Sequence, residues 1–355
     1  MNTESKDFLV DLLSQCGPSG NEGENRKVWV KRTQKYAQEL KVDVHGNAIA
    51  ALNPKAAFKV MIAGHIDEIG FMVSHIDKEG FLYLIPVGGI DPAVLPGTAV
   101  KVMGEKGWVD GVIGKKPIHL MEESERGKAM QIKDFWVDIG AKDRDDALKV
   151  VALGDTVSYA PNAKFLRNGL FTSKGCDDKV GAFVASEVIK ILKDKTLDKN
   201  IGVWSVATVQ EEVGLRGART SAFGIAPNAA IAVDVGFASD TPGIDKKLVG
   251  EVSLGKGPVL HKGPHTNHVL GDLLVKAAKK NKIAYQFSSV GRPDGTDTGS
   301  IQVARDGCAT ALVSIPNRYM HTMVETCSVN DLETSAALIA ATILAMKPGM
   351  SFIPA

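Results

Sequence analysis

Apolar positions recur along the chain in two rhythms. Over residues 6–15 and again over 26–38 they return at helical spacing, and GPSGNEGE breaks the pattern between them. Residues 41–44 and Ala48–Leu52 read as a short strand pair with Gly46 at the turn. Residues 58–63 (FKVMIA) are a compact apolar run closed by Gly64, the pattern of a central strand covered on both faces. From about Gly70 to Pro161 the texture changes to short strands punctuated by glycine and proline, as in GGIDPAVLPGTAVKV and KGWVDGVIG. That alternation predicts a small β-domain or barrel. Helical spacing resumes over 178–192, where Val180, Val184, Val188 and Ile191 form one stripe. Strand-like runs follow at 201–209, 229–235 and 309–315, with helices predicted over 270–280 and 331–345. Ser328 and Asp331 have the spacing of a capping box before the last helix, with Asp in place of Glu. The expected fold is therefore α/β. A central mixed sheet flanked by helices comes from residues 1–66 and 164–355, and a β-rich, barrel-like domain is inserted at 67–163.

Composition narrows the function. Lys and Arg number 42 against 41 Asp and Glu, a formal net charge of +1, which removes the main electrostatic reason to expect nucleic acid or an acidic membrane as partner. No stretch approaches the roughly 20 continuous apolar residues of a membrane span. The opening MNTESKDFLVDLLSQ has acidic residues within its apolar stretch and no basic leader, so it reads as an amphipathic helix and not an export signal. Four scattered cysteines (Cys16, Cys176, Cys308, Cys327) without a CxxC pair suggest free thiols in a reducing compartment, and a cytoplasmic location is expected.

Five motifs carry chemistry, at the ends of predicted strands or the start of a helix. They are Gly64-His65-Ile66-Asp67-Glu68, Cys176-Asp177-Asp178-Lys179, Gln210-Glu211-Glu212, Val233-Asp234-Val235 and Tyr319-Met320-His321. In open α/β sheets, ligand sites form beyond the carboxyl ends of the strands, so all five can share one site. Singly, each has a structural explanation: a hydrogen-bonded histidine, an acidic helix cap, a solvated strand end, a turn. Their coincidence argues for a metal, because clustered carboxylates beside a core are costly unless a cation compensates them. A ligand set of carboxylates and imidazoles without thiolate suits Zn²⁺, Co²⁺ or Mn²⁺, and one bridging carboxylate would let the set hold two ions. Adjacent side chains at a strand end point apart, so of Glu211 and Glu212 one can bind metal while the other takes a proton from water. Asp67, two residues beyond His65, is placed to orient its imidazole.

These residues resemble the tetrahedral (TET-type) metalloaminopeptidases, a family that includes deblocking and glutamyl aminopeptidases and members called endoglucanases. AGHIDEIGFMV, the GCDDK helix start, VQEEVGLRGA, AVDVG, DGTDTGS and IPNRYMHTMVE occur in the family's order. The resemblance implies metal ligands His65, Asp177, Glu212, Asp234 and His321, with Asp177 shared by two divalent ions, Glu211 as general base and Asp67 as orienting carboxylate. It implies aminopeptidase action on short peptides, an insertion used for dimer formation, and dimers assembling into a dodecamer. Lys179 stands where Arg is common, Met323 where many members have Pro, and Asp294-Gly295-Thr296-Asp297 where a paired-glycine loop is usual. Arg292, Asp294 and His261 are the candidates for substrate contact, with Lys262 as another basic group nearby. His261, His265 and His268 also read simply as polar loop residues and a helix cap.

Two other functions compete. A glycoside hydrolase could use paired carboxylates without metal, but it leaves His65 and His321 unexplained. A non-catalytic scaffold could keep the fold, although all five ligand positions are retained. GEKGWVDGVIG lacks the spacing and following helix of a phosphate loop, and Cys176 reads as a small packing residue.

Overall fold

The strands form where β-branched and small apolar residues run together, and the helices where such residues recur every third or fourth position. A computed structural model describes residues 1–292 and 295–354. The chain opens with helices α1 (Thr3–Leu13) and α2 (Gly23–Thr33) and strands β1 (Glu39–Val42), β2 (Ala48–Leu52) and β3 (Phe58–His65). Six strands of a second sheet follow: β4 (Gly70–Ile76), β5 (Leu82–Val87), β6 (Ala99–Gly104), β7 (Gly107–Gly114), β8 (Trp136–Asp138) and β9 (Thr156–Tyr159), with the short α3 (Arg144–Ala147) before β9. After β10 (Lys164–Phe165) and β11 (Leu170–Ser173) come α4 (Cys176–Lys193), β12 (Ile201–Thr208), α5 (Arg216–Ile225) and β13 (Ala229–Phe237). The remainder is α6 (Lys246–Val249), β14 (Val259–Lys262), α7 (His268–Asn281), β15 (Gln286–Ser289), α8 (Asp297–Gln302), β16 (Ala309–Asn317), β17 (Glu325–Ser328) and α9 (Val329–Ala345).

Eight strands form a mixed sheet in the order β1-β2-β12-β3-β13-β16-β14-β15, with β12, β3, β13 and β16 mutually parallel at its centre. Alternation along β3 divides two cores. Val60 and Ile62 pack with Val180, Val184 and Val188 of α4 and with Leu332 and Ile339 of α9. Met61 and Ala63 pack with Trp204, Val206 and Ala230, under Ala218 of α5 and Ile301 of α8. By the same period-two rule, His65, Thr208 and Asp234 project on the α5–α8 side. The strands from β4 to β9 close a separate barrel, filled by Phe71, Val102, Val137 and Val157. The Gly-rich segment doubted as a phosphate loop is its β6–β7 hairpin.

Gly64 shows why the central strand comes so close to α4. A Cβ there would lie 2.3 Å from the carbonyl carbon of Gly181, so the missing side chain at Gly64 lets strand and helix backbones touch. The capping box predicted for α9 does not form. The Ser328 side chain makes no capping hydrogen bond, and Asp331 instead accepts the backbone N–H groups of Gly255 (2.7 Å) and Gly257 (2.8 Å). Two loop N–H donors compete better for that carboxylate than the helix end does. None of the described helices is long and apolar enough to cross a membrane.

Candidate active site

The carboxyl ends of β3, β12 and β13, the start of α4 and the loop after β16 converge on one cavity of about 610 Å³. Its lining includes His65, Asp177, Glu211, Glu212, Asp234 and His321. Arg292 and His261 line it as well. Asp294 lies outside the described residues.

Asp177 is the centre of the arrangement. Its Oδ1 lies 3.2 Å from Nε2 of His65, and its Oδ2 lies 3.3 Å from Nε2 of His321. Asp178 faces the other way. It takes the backbone N–H of His65 at 3.1 Å and that of Gly181 at 3.0 Å, one on each oxygen. The peptide between the two aspartates is cis, and both residues depart from helical backbone angles. Nε2 of His65 also has Glu211 Oε2 at 3.8 Å and Asp234 Oδ1 at 3.9 Å. Nε2 of His321 has Glu212 Oε1 at 3.8 Å. Nδ1 of His65 faces the backbone carbonyl of Asp67 at 3.2 Å, an acceptor, which places a proton on Nδ1 and leaves Nε2 toward the cavity.

Asp67 lies buried beneath the two glutamates. Its carboxylate is 3.4 Å from Nδ1 of His65, so the nearer imidazole contact is the residue's own carbonyl. The side chain is held by the hydroxyl of Ser19 (2.6 Å) and accepts the backbone N–H groups of Glu211 (3.1 Å) and Glu212 (3.2 Å). Its expected task of orienting an imidazole is thus joined by another, seating the Glu211–Glu212 turn.

The electrostatics fit a divalent cation. Burial raises Glu211 to about 10 and Glu212 to about 8, and the neighbouring carboxylates add to both shifts. Burial and nearby acids also push Asp178 and Asp234 well above the ordinary carboxylate range. For Asp177 the two imidazoles overcome burial and hold the carboxyl low, while its hydrogen bond raises His321 to about 9. Oε1 of Glu212 is buried and has no hydrogen-bond partner among the described residues. Two imidazoles cannot neutralise so many carboxylates, and a cation held among them would. Ligand atoms of His65, Asp177 and Glu212 lie within 4.8 Å of one another, as do those of His65, Asp178 and Asp234, so each group could hold an ion.

Three further acids belong to this neighbourhood. Glu325 accepts the backbone N–H groups of Asp177 and His321. Asp297, at the start of α8, takes the hydroxyl of Thr208 at 2.6 Å, and Thr208 pairs in register with His65. Glu68 is clasped by Lys174 (2.5 Å) and Lys179 (2.8 Å) in the interior. All three lie in motifs quoted from the sequence, GHIDE, DGTDTGS and IPNRYMHTMVE, but nothing in the local pattern gave any of them a role, because their partners come from other segments. Of the three loop histidines, only His261 reaches the cavity, with Nε2 2.8 Å from Ser314 Oγ. His268 is the first residue of α7, whose cap is Asn267. Lys262 turns to the ring of Phe287.

A cluster of this kind at the carboxyl ends of parallel strands is the site of an α/β enzyme. A family model described as M42 glutamyl aminopeptidase matches residues 46–338. A lysyl aminopeptidase of Pyrococcus furiosus is 38% identical over 351 residues, 98% of this chain and 99% of that protein. The solved TET aminopeptidase of the marine sediment archaeon Thaumarchaeota archaeon SCGC AB-539-E09 matches with a TM-score of 0.92 at 34% identity, covering 98% of each chain. The TET1 peptidase of Pyrococcus horikoshii, which can assemble into a tetrahedron or a large octahedral shell, matches with a TM-score of 0.86 at 34% identity, covering 96% of this chain and all of that one. The chain belongs to the M42 glutamyl aminopeptidase family, and it is an aminopeptidase.

Proposed function

We propose that this enzyme removes N-terminal residues from short peptides with the help of two divalent cations. His65, Asp177 and Asp234 would hold one ion and Asp177, Glu212 and His321 the other, with zinc the first choice of metal and cobalt or manganese the alternatives. The observation that carries the reading is the Asp177 carboxylate, which offers one oxygen toward each imidazole among more acids than the two imidazoles can neutralise. When bound, such cations supply Lewis acidity toward the scissile carbonyl and make water a better nucleophile near neutral pH.

Glu211 is the general base. It accepts a proton from the attacking water and delivers it to the leaving amine, and Asp67 keeps it in place through the backbone N–H. Burial excludes solvent from this transfer. Beyond the acidic cluster the cavity continues past Phe237, Val249 and Met320, room for the first side chain of a peptide, with His261 and Arg292 as the polar contacts there. The barrel within residues 67–163 serves as a dimerisation domain, and dimers assemble into a tetrahedral dodecamer in the cytoplasm. The assembly of the Pyrococcus horikoshii relative supports that reading.

The decisive experiment is a panel of aminoacyl chromogenic substrates assayed after chelation and after adding back Zn²⁺, Co²⁺ or Mn²⁺. Activity abolished by chelator and restored by metal is the expected result. Full activity in the chelator would overturn the metal mechanism and favour a carboxylate-only hydrolase.

A further inference from the structure

Glu325 opens β17 with only 2% of its surface exposed. Its Oε1 accepts the backbone N–H of His321 at 2.8 Å, and its Oε2 accepts that of Asp177 at 3.0 Å. These two donors come from segments 144 positions apart, and one carboxylate spans both. The pairing of β11 with β17 sets Ser173 opposite Glu325, which delivers the side chain to the turn before α4. On the other side, Arg318 and Thr326 bridge, so the intervening loop closes back on the same carboxylate.

The two donors are not equally secure without it. Asp177 adjoins Asp178, whose carboxylate is tied to His65 and Gly181. His321 sits in the left-handed region (φ 62°), as does Tyr319 (φ 62°), in a half-exposed turn. That backbone conformation is unfavourable for a side-chain-bearing residue and persists only where the surroundings hold it.

We propose that Glu325 is a positioning residue that holds the His321 imidazole at the Asp177 carboxylate and so assembles the His321 half of the metal centre. The inference rests on the metallopeptidase reading above. Glutamine matches the shape of a buried carboxylate accepting two N–H donors but cannot keep both bonds: it retains one acceptor oxygen and turns an NH₂ group toward the other donor. The effect should therefore be local to one half of the centre. Residues that orient ligands in this way typically change metal affinity by about 10–100-fold when altered.

The test is a titration of metal-stripped full-length protein with Co²⁺ alone, followed by calorimetry and visible absorption, for the wild type, Glu325→Gln and His321→Ala. The wild type should bind in two steps, His321→Ala should lose one of them, and Glu325→Gln should weaken that same step about 10–100-fold while leaving the other unchanged. In the His321→Ala background, Glu325→Gln should have no further effect on the remaining step. Two unchanged steps in Glu325→Gln would overturn the positioning role, and so would equal weakening of both. If Glu325→Gln does not fold, Glu325→Asp is the second variant, and failure of both to fold would assign Glu325 to general stability and overturn the proposal. No Co²⁺ binding by the wild type would instead sink the metallopeptidase reading itself, an outcome separate from any effect at Glu325.

Discussion

Oδ1 of Asp67 accepts the backbone N–H of Glu211 at 3.1 Å. Because the other oxygen takes the N–H of Glu212 and the hydroxyl of Ser19, one buried carboxylate seats two glutamates whose proposed tasks differ. Asp67→Asn leaves one of those N–H groups facing an amide NH₂. It should retain bound metal but lower kcat about 10–100-fold, with KM little changed. Steady-state kinetics alongside metal analysis checks this, and an unchanged kcat would show that the Glu211–Glu212 turn holds itself.

Glu211→Gln preserves the shape of the side chain and removes its ability to accept a proton. Metal content should stay at the wild-type level while turnover falls about 10²–10⁴-fold. A fully active variant would take Glu211 out of the mechanism.

The metal-stripped enzyme should be less stable in mild alkali than in mild acid. Glu212 has a folded-state pKa of about 8, raised by burial from an ordinary value of 4.5. A carboxyl raised in this way favours the folded state fully below its unfolded pKa, and that contribution fades as pH climbs from about 4.5 to 8. His321, raised to about 9 chiefly by its hydrogen bond to Asp177, adds a contribution that is complete below about 6.5 and fades toward 9. Both terms have the same sign. Thermal unfolding of chelated protein across pH 5–9 should therefore show a falling midpoint, with the protection given by added metal growing in the same direction. A flat profile would contradict this account of the acidic cluster.

Glu68 has the opposite sign. Burial works against its charge, but Lys174 and Lys179 prevail and hold the carboxyl at about 2. The stability it contributes is complete above about pH 4.5 and is lost as pH falls toward 2. Glu68→Gln would leave two buried ammonium groups without a counter-charge and should cost about 3–5 kcal/mol, read as a lowered urea midpoint at neutral pH. A midpoint equal to that of the wild type would mean that the Gln15 carbonyl, which accepts from both lysines, suffices to hold them.

Much of this molecule is legible in the order of its residues. FKVMIA reads as a covered strand because both of its faces are apolar, and it forms most of β3, which runs on through Gly64 and His65 between β12 and β13. Glycine and proline punctuation from about residue 70 marks the barrel, where turns must recur at short intervals. His65, Asp177, Glu212, Asp234 and His321 were recognisable as candidates because polar, metal-competent side chains ending apolar segments are costly to bury and need a reason to be there.

What sequence could not supply is the set of distances between segments. The two oxygens of Asp177 point at His65 and His321 only because β11 pairs with β17 and β3 lies against α4 through Gly64 and Gly181. The same chain-distant packing brings the Asp177 N–H to Glu325, holds the Asp331 side chain in the first turn of α9 on the Gly255–Gly257 loop, and clasps Glu68 between two lysines. Local pattern determined which segments became strands and helices and which side chains had the chemistry, since periodicity and turn residues act over a few positions. Tertiary structure alone decided which carboxylates face imidazoles and which face backbone N–H groups, because hydrogen bonding and charge pairing operate over a few ångströms between groups that mostly belong to segments far apart in the sequence.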